Sequence, residues 1–228
     1  MATAQQHERM ATACEHRFPM SYDDFLVWAD EVQAEWLDGE VTVFVPPNIR
    51  HQFIANFFQA LLAQFASAFD LGDVLGALVE MRARPDGSAR EPDILFVAAA
   101  HRDRLTAQRL AGPADLVVEI VSNESASRDR SDKFYEYEAA GITEYLLIDP
   151  RATKERVDFY RLTGAGKYLA VLPDGVGRYH SAVLPRFWFD PAWFWATPTP
   201  NPLLTLAEIA PEALAPVLAA LAARERPE

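Results

Sequence analysis

Cys14 is the only cysteine in the chain, so no internal disulfide can form and a reducing compartment suits the protein. A membrane-spanning helix needs about 20 largely apolar residues, and no uninterrupted apolar stretch of that length occurs. The opening segment, "MATAQQHERMATACEHRFPM", holds no apolar run of the kind that drives secretion, and residues 1–19 read as a polar, frayed leader. Basic charge is also scarce. Lys and Arg number 21 against 33 Asp and Glu, a formal net charge of −12. Coating nucleic acid by general attraction depends on neutralising phosphates, so this balance disfavours it. It leaves room for a local basic groove, for which "HRDRLTAQR" and "SRDRSDK" are the sources, although such clusters are more often solvated faces and caps. The expectation is a cytoplasmic protein without membrane contact.

Half of the 228 residues are hydrophobic, enough for one globular core with extensions. Ser21 and Asp24 form a capping-box pattern ahead of "FLVW", which predicts a helix. "EWLDGEVTVFVP" predicts a hairpin turning at Asp38-Gly39. "IRHQFIANFFQALLAQFASAF" has helical periodicity through Phe53, Phe57, Leu61, Phe65 and Ala68. "GALVEMRAR" and "REPDILFVAAA" predict a second hairpin. "DLVVEIVS" and "TEYLLIDP" are apolar throughout, as central strands covered on both faces are. Between them, "RDRSDKFYEYEAAG" predicts a helix ended by Gly141. "RVDFYRL", "KYLAVL" and "GRYHSAVL" predict an added antiparallel run, "FWFDPAWFW" an aromatic cluster, and "TPTPNP" a linker before an Ala/Pro-rich helical tail. The fold class is α/β, a mixed sheet flanked by helices. The domain lies over residues 20–196, with linker and tail over 197–228.

Glu119 poses the central chemical question. It lies between Val118 and Ile120 in an apolar strand, and a buried carboxylate must protonate, pair with a cation or bind a metal. Asp93, in Pro92-Asp93, opens the strand predicted before it. Two carboxylates on neighbouring strands can share one hard cation, and Mg²⁺ needs only one or two carboxylates because it keeps several waters. Lys133, in the first turns of the next helix, can point back at that strand and stabilise developing charge. A lysine on a helix is ordinarily exposed, and Lys133 is expected to be at least half so.

Pro-Asp, a long spacer and a Glu strand followed by Lys resemble the PD-(D/E)xK restriction-endonuclease-like superfamily. "EPDILFV", "DLVVEIVSNESASRDRSDKFYEYEAAGITEYLLIDP" and "YHSAVLPRF" are similar to the Uma2 family within it, over about residues 20 to 195. The resemblance implies a restriction-endonuclease-like fold and metal-dependent cleavage of nucleic acid, DNA by family analogy. It implies Asp93 and Glu119 as ligands of Mg²⁺ or Mn²⁺, the Ile120 carbonyl as a third, and Lys133 as a migrated catalytic lysine, because Val121 stands where the wider superfamily has Lys. "EWLDGE" is similar to an early family segment, which brings in Glu35; otherwise Glu35 flanks the Asp38-Gly39 turn. A homodimer follows from the superfamily's habit of cutting two strands with two sites.

Other residues carry plainer readings. Tyr137 packs in the core or steadies Lys133 one helical turn away. Glu80 makes an ordinary salt bridge, His51 starts a helix, and the aromatic residues at 187–195 are core or a subunit contact. The rival to the enzyme is a non-catalytic dimeric binding or regulatory module that keeps the same charges as a structural ion-pair network.

Overall fold

The structure is a computed structural model describing residues 16–28, 34–43, 49–77, 79–122, 130–215 and 218–219. Its frame is a six-stranded mixed sheet. Strands β4 (Gly72–Gly76), β6 (Ile94–Ala98), β8 (Leu116–Ile120), β9 (Glu144–Asp149), β10 (Arg156–Leu162) and β11 (Tyr168–Ala170) lie side by side in the order β11-β10-β9-β8-β6-β4. β8 and β9 are parallel; the remaining neighbours are antiparallel. Every residue of β8 and β9 is buried, which is why both read as nearly unbroken apolar runs.

Two apolar layers cover this sheet. On one face Leu116, Val118 and Ile120 pack with helix α2 (Ile49–Ala68), whose buried stripe runs through Ile54, Phe57, Phe58, Leu61, Leu62 and Phe65. The stripe is phased differently from the expected one, for Phe53 is exposed and His51 buried. Phe187, Phe189 and Phe194 fill the same core, with Trp193 and Trp195 partly buried against it. Leu206, Ala210 and Ala213 join it too, so residues expected to form a separate tail are built into the core. They come from helix α5 (Pro202–Ile209) and the turn after it; α4 is the short helix Ala192–Trp195. Asn201 caps α5, its side-chain oxygen accepting from the Leu203 and Leu204 amides.

On the other face Val117, Val121, Leu95 and Val97 pack beneath helix α3 (Asp132–Ala140), which closes at Gly141 with φ of 82°. A second sheet completes this layer. Strands β1 (His16–Pro19), β2 (Ala34–Leu37) and β3 (Glu40–Val43) form an antiparallel three-stranded sheet in the order β1-β3-β2. β1 takes up the last four residues of the segment expected to be frayed; residues 1–15 lie outside the described residues. The β2–β3 turn is Asp38-Gly39, both at positive φ (49° and 89°), which two-residue hairpins require. Helix α1 (Tyr22–Trp28) covers these three strands through Phe25, and the Asp24 amide donates to Ser21 Oγ as the capping box predicts.

The second expected hairpin is built differently. β4 begins at Gly72, before "GALVEMRAR", and pairs with β6 directly. Met81 instead bridges Arg90, and Ala89 bridges Trp36 of β2. β5 (Met81–Arg82) runs parallel to β7 (Leu110–Ala111), so the bridges carry the second sheet from β2 towards β7. β12 (Tyr179–His180) pairs with β13 (Trp188–Phe189) and not with β11.

Asp149 closes the carboxyl end of β9. It accepts from Arg151 Nε (2.8 Å) and Nη2 (2.7 Å) and from Arg130 Nη2 (2.8 Å). Burial alone would raise its pKa, but these hydrogen bonds outweigh burial and lower it to about 2. A depressed carboxylate contributes stability that is complete above its ordinary 3.8 and lost as pH falls through about 2. Asp149→Asn should therefore lose about 3 kcal/mol at neutral pH, the scale of breaking a buried pair. In denaturant titrations the gap to wild type should close as pH is lowered through that window. A gap constant with pH would contradict the assignment.

Candidate active site

Strand register brings the charges together. Ile94 pairs with Val118, so Asp93, one residue earlier, lies opposite Glu119 at the end of the β6–β8 ladder. On the second sheet Trp36 bridges Ala89, which sets Glu35 across from Arg90. On α3, Lys133, Glu136 and Tyr137 follow helical spacing and share one face. Three elements distant in sequence thus aim charged groups into one boundary between two sheets and a helix.

Lys133 Nζ lies 2.8 Å from Glu119 Oε1 and 3.1 Å from Glu35 Oε1. The Tyr137 hydroxyl donates to the same Glu119 oxygen at 2.8 Å. Arg90 Nη1 donates to Glu35 Oε2 at 2.9 Å, and its Nη2 and Nε donate to Glu136 Oε2 at 2.6 and 3.0 Å. Exposure is 3 % for Lys133, 4 % for Glu119, and 2 % each for Glu35 and Arg90. Lys133 is therefore not the half-exposed helix residue that its type suggests. Two carboxylates compensate its desolvation, and they are themselves compensated by it. Burial acts to lower the Arg90 pKa, yet Glu35 and Glu136 outweigh it and raise the pKa further. Burial, followed by the charges of Glu119 and Glu35, pushes the Tyr137 phenol well above its ordinary range, so it serves as a neutral donor.

Asp93 occupies the sheet end beside this network. Its Oδ2 accepts from the Ile120 amide at 2.7 Å, and His51 Nε2 lies 3.3 Å from that same oxygen. His51, which the sequence offers as a helix start, belongs at the site: it is buried in the first turn of α2 and directed at Asp93. Glu35 is likewise drawn in and does more than flank the turn. Glu80 accepts from the Tyr22 hydroxyl at 2.6 Å and lies 3.5 Å from Arg109, the ordinary ion pair expected.

Arg90, Glu91 and Glu136 are site residues that the sequence reading misses. Glu136 could have been found from its spacing to Lys133. Arg90 and Glu91 depend on a long-range bridge that carries no local signal. The Glu91 amide donates to Glu35 Oε1 at 3.4 Å, and Glu91 Oε2 has no hydrogen-bond partner among the described residues. Burial and the neighbouring Glu35 charge raise the Glu91 pKa to about 8.

The donor set is oxygen-rich and anionic, the chemistry that hard divalent cations take. Among the described residues no group of three or more His, Cys, Asp or Glu side chains is already drawn together in a metal-holding arrangement. The register sets Asp93 opposite Glu119, and a cation that keeps several waters needs only one or two carboxylates. No helix among the described residues is long and apolar enough to cross a membrane.

Comparison with known proteins places this site in context. A family model, Uma2, described as "Putative restriction endonuclease", matches residues 22–192. A solved structure described as "a putative nuclease belonging to DUF820" from Anabaena variabilis superposes with a TM-score of 0.61 at 15 % identity, covering 78 % of this chain and 98 % of that one. At that identity the likeness shows a shared fold. No curated protein matches.

Glu91 gives this site a measurable pH signature. A carboxyl raised to about 8 holds a proton in the fold that the unfolded chain releases near 4.5. The stability that this proton contributes is complete below 4.5 and is lost as pH rises through about 8. With a chelator present, Glu91→Gln should equal wild type in urea titrations at the acid end and exceed it above the folded pKa. Parallel pH curves for the two proteins would show that Glu91 carries no such shift.

Proposed function

The chain belongs to the Uma2 family, and from that premise we propose that it is a metal-dependent endonuclease hydrolysing phosphodiester bonds in nucleic acid. The observation that carries the reading is the convergence of the Lys133 ammonium and the Tyr137 hydroxyl on Glu119 Oε1, beside Asp93 at the sheet end. DNA as the substrate rests on the family's description as a restriction endonuclease.

Asp93, Glu119 and the Ile120 carbonyl would hold Mg²⁺ or Mn²⁺, a cation that when bound polarises a phosphoryl oxygen and lowers the pKa of water. The protein's own groups supply the remainder. Tyr137 and Lys133 hold the Glu119 carboxylate in one orientation. Lys133 brings a compact positive charge to stabilise negative charge growing on the phosphoryl group, and low-dielectric surroundings strengthen that effect. His51 and the Ile120 amide hold Asp93. With a net charge of −12, nucleic acid would be held by local contacts and the cation, not by general attraction. The setting is cytoplasmic, and the protein acts as a homodimer whose paired sites serve two strands.

The second reading, a non-catalytic binding module, has one observation in its favour: Lys133 is already neutralised by two buried carboxylates. Cleavage separates the two. Wild type should cut at least one member of a panel of DNA and RNA substrates in Mg²⁺ or Mn²⁺ and none in a chelator. Glu119→Ala should be inactive, and Lys133→Met should lose about 10²-fold or more in single-turnover rate. Lys133→Met should also lower the melting temperature, since about 3 kcal/mol or more follows from orphaning a buried charge. Calorimetry should show weaker Mn²⁺ binding to Asp93→Ala than to wild type. Metal-independent nucleic-acid binding without cleavage would favour the second reading. For the assembly, light scattering at micromolar concentration should return twice the chain mass; a monomer would reject the dimer.

A further inference from the structure

We propose that Arg90 is a positioning residue for Lys133, acting through Glu35. Its guanidinium is clamped between Glu35 and Glu136, and it thereby fixes the carboxylate that shares the Lys133 ammonium with Glu119. This inference rests on the hydrolytic reading of the site.

Glu35 divides its two oxygens. Oε2 takes Arg90 Nη1 at 2.9 Å, and Oε1 takes Lys133 Nζ at 3.1 Å. The side chain cannot turn towards one partner without leaving the other. Lys133 Nζ is also 2.8 Å from Glu119 Oε1, so the ammonium is held at two anchors, one on each sheet. A lysine has four rotatable stem bonds and no directional fork, so its head goes where its partners are fixed. With Glu35 released, the ammonium would lose its anchor on the second sheet and shift.

Arg90 is suited to holding Glu35 because a guanidinium donates along two edges at once. One edge meets Glu35. The other places Nη2 and Nε on Glu136 Oε2 at 2.6 and 3.0 Å. The backbone fixes Arg90 as firmly, since its amide donates to Met81 O at 3.0 Å and its carbonyl accepts from Met81 N at 2.7 Å. Glu136 and Lys133 lie three residues apart on one face of α3. Arg90 therefore anchors to the same helix that carries the lysine it sets. The charges alternate in sign from the rim at Glu136, through Arg90, Glu35 and Lys133, to Glu119 on β8. Among the described residues the Arg90 side chain donates its hydrogen bonds to Glu35 and Glu136, so it acts on the reaction through another group.

The test has two arms. The first reads Lys133 without any substrate. In protein labelled with ¹⁵N-lysine, the Nζ resonance is assigned by its loss in Lys133→Met. In Arg90→Gln it should shift and exchange faster with water. In Glu136→Gln, a rim substitution that keeps the core packing, the same signal should move in the same direction by less. An unchanged Lys133 resonance in both variants would overturn the proposal. If Arg90→Gln does not fold, Glu136→Gln decides alone. The second arm is a double-mutant cycle on single-turnover cleavage at saturating metal. Arg90→Gln and Glu35→Gln should each lose about 10-fold or more, and the double variant should be no slower than Glu35→Gln alone, because the two act in series. Multiplicative losses would contradict action through Glu35. If wild type cleaves nothing, the hydrolytic reading fails, and the resonance arm still decides whether Arg90 sets Lys133.

Discussion

The Lys133 ammonium, held between Glu35 Oε1 on one sheet and Glu119 Oε1 on the other, is the constraint on which the rest of the site depends. A buried cation with one partner would sit beside an uncompensated desolvation cost, and a buried carboxylate would do the same. Each of these groups is tolerated because the others are present. Their presence in turn requires that β2, β8 and α3 meet at fixed register. A one-residue slip of β2 would turn Glu35 to the opposite face and leave Trp36 facing the lysine.

The balance of charge around that contact suits an additional cation. Glu91 carries a proton below about pH 8. Glu35, Asp93, Glu119 and Glu136 then face Lys133 and Arg90, four carboxylates against two basic side chains. An excess of carboxylates over basic side chains suits a divalent ion. The acidic surface and the acidic site thus have different consequences. The first disfavours general attraction to nucleic acid, and the second suits the divalent ion of the proposed function.

Much of the frame was legible because its signals are local. Asp38-Gly39 ahead of the alternating Val41 and Val43 can form a tight hairpin with little strain, and Gly141 ends α3 in the left-handed conformation that favours glycine. β8 and β9 were readable because burial on both faces leaves an apolar run with one conspicuous carboxylate in each, Glu119 and Glu144 aside from the terminal Asp149. What was illegible depended on partners far away in sequence. β4 holds only two bulky apolar residues, Val74 and Leu75, between its glycines, and its pairing with β6 decides its state. The burial of Lys133 is set by Glu35, and residue type alone argues the opposite. Arg90 and Glu91 enter the site because Ala89 bridges Trp36, a contact that no turn residue or periodicity announces. The segment after Trp195 looked like an appendage, yet Leu206 and Ala213 reach the core beside α2.

The most direct measurement is a crystal structure of wild type soaked in Mn²⁺, read from the anomalous difference map. The account predicts one strong peak within about 2.1 Å of carboxylate oxygens of both Asp93 and Glu119, with Lys133 still paired to Glu119. A map with no peak there, or with manganese held by other side chains while Lys133 keeps both carboxylates, would contradict it and leave the buried pair as a structural tie.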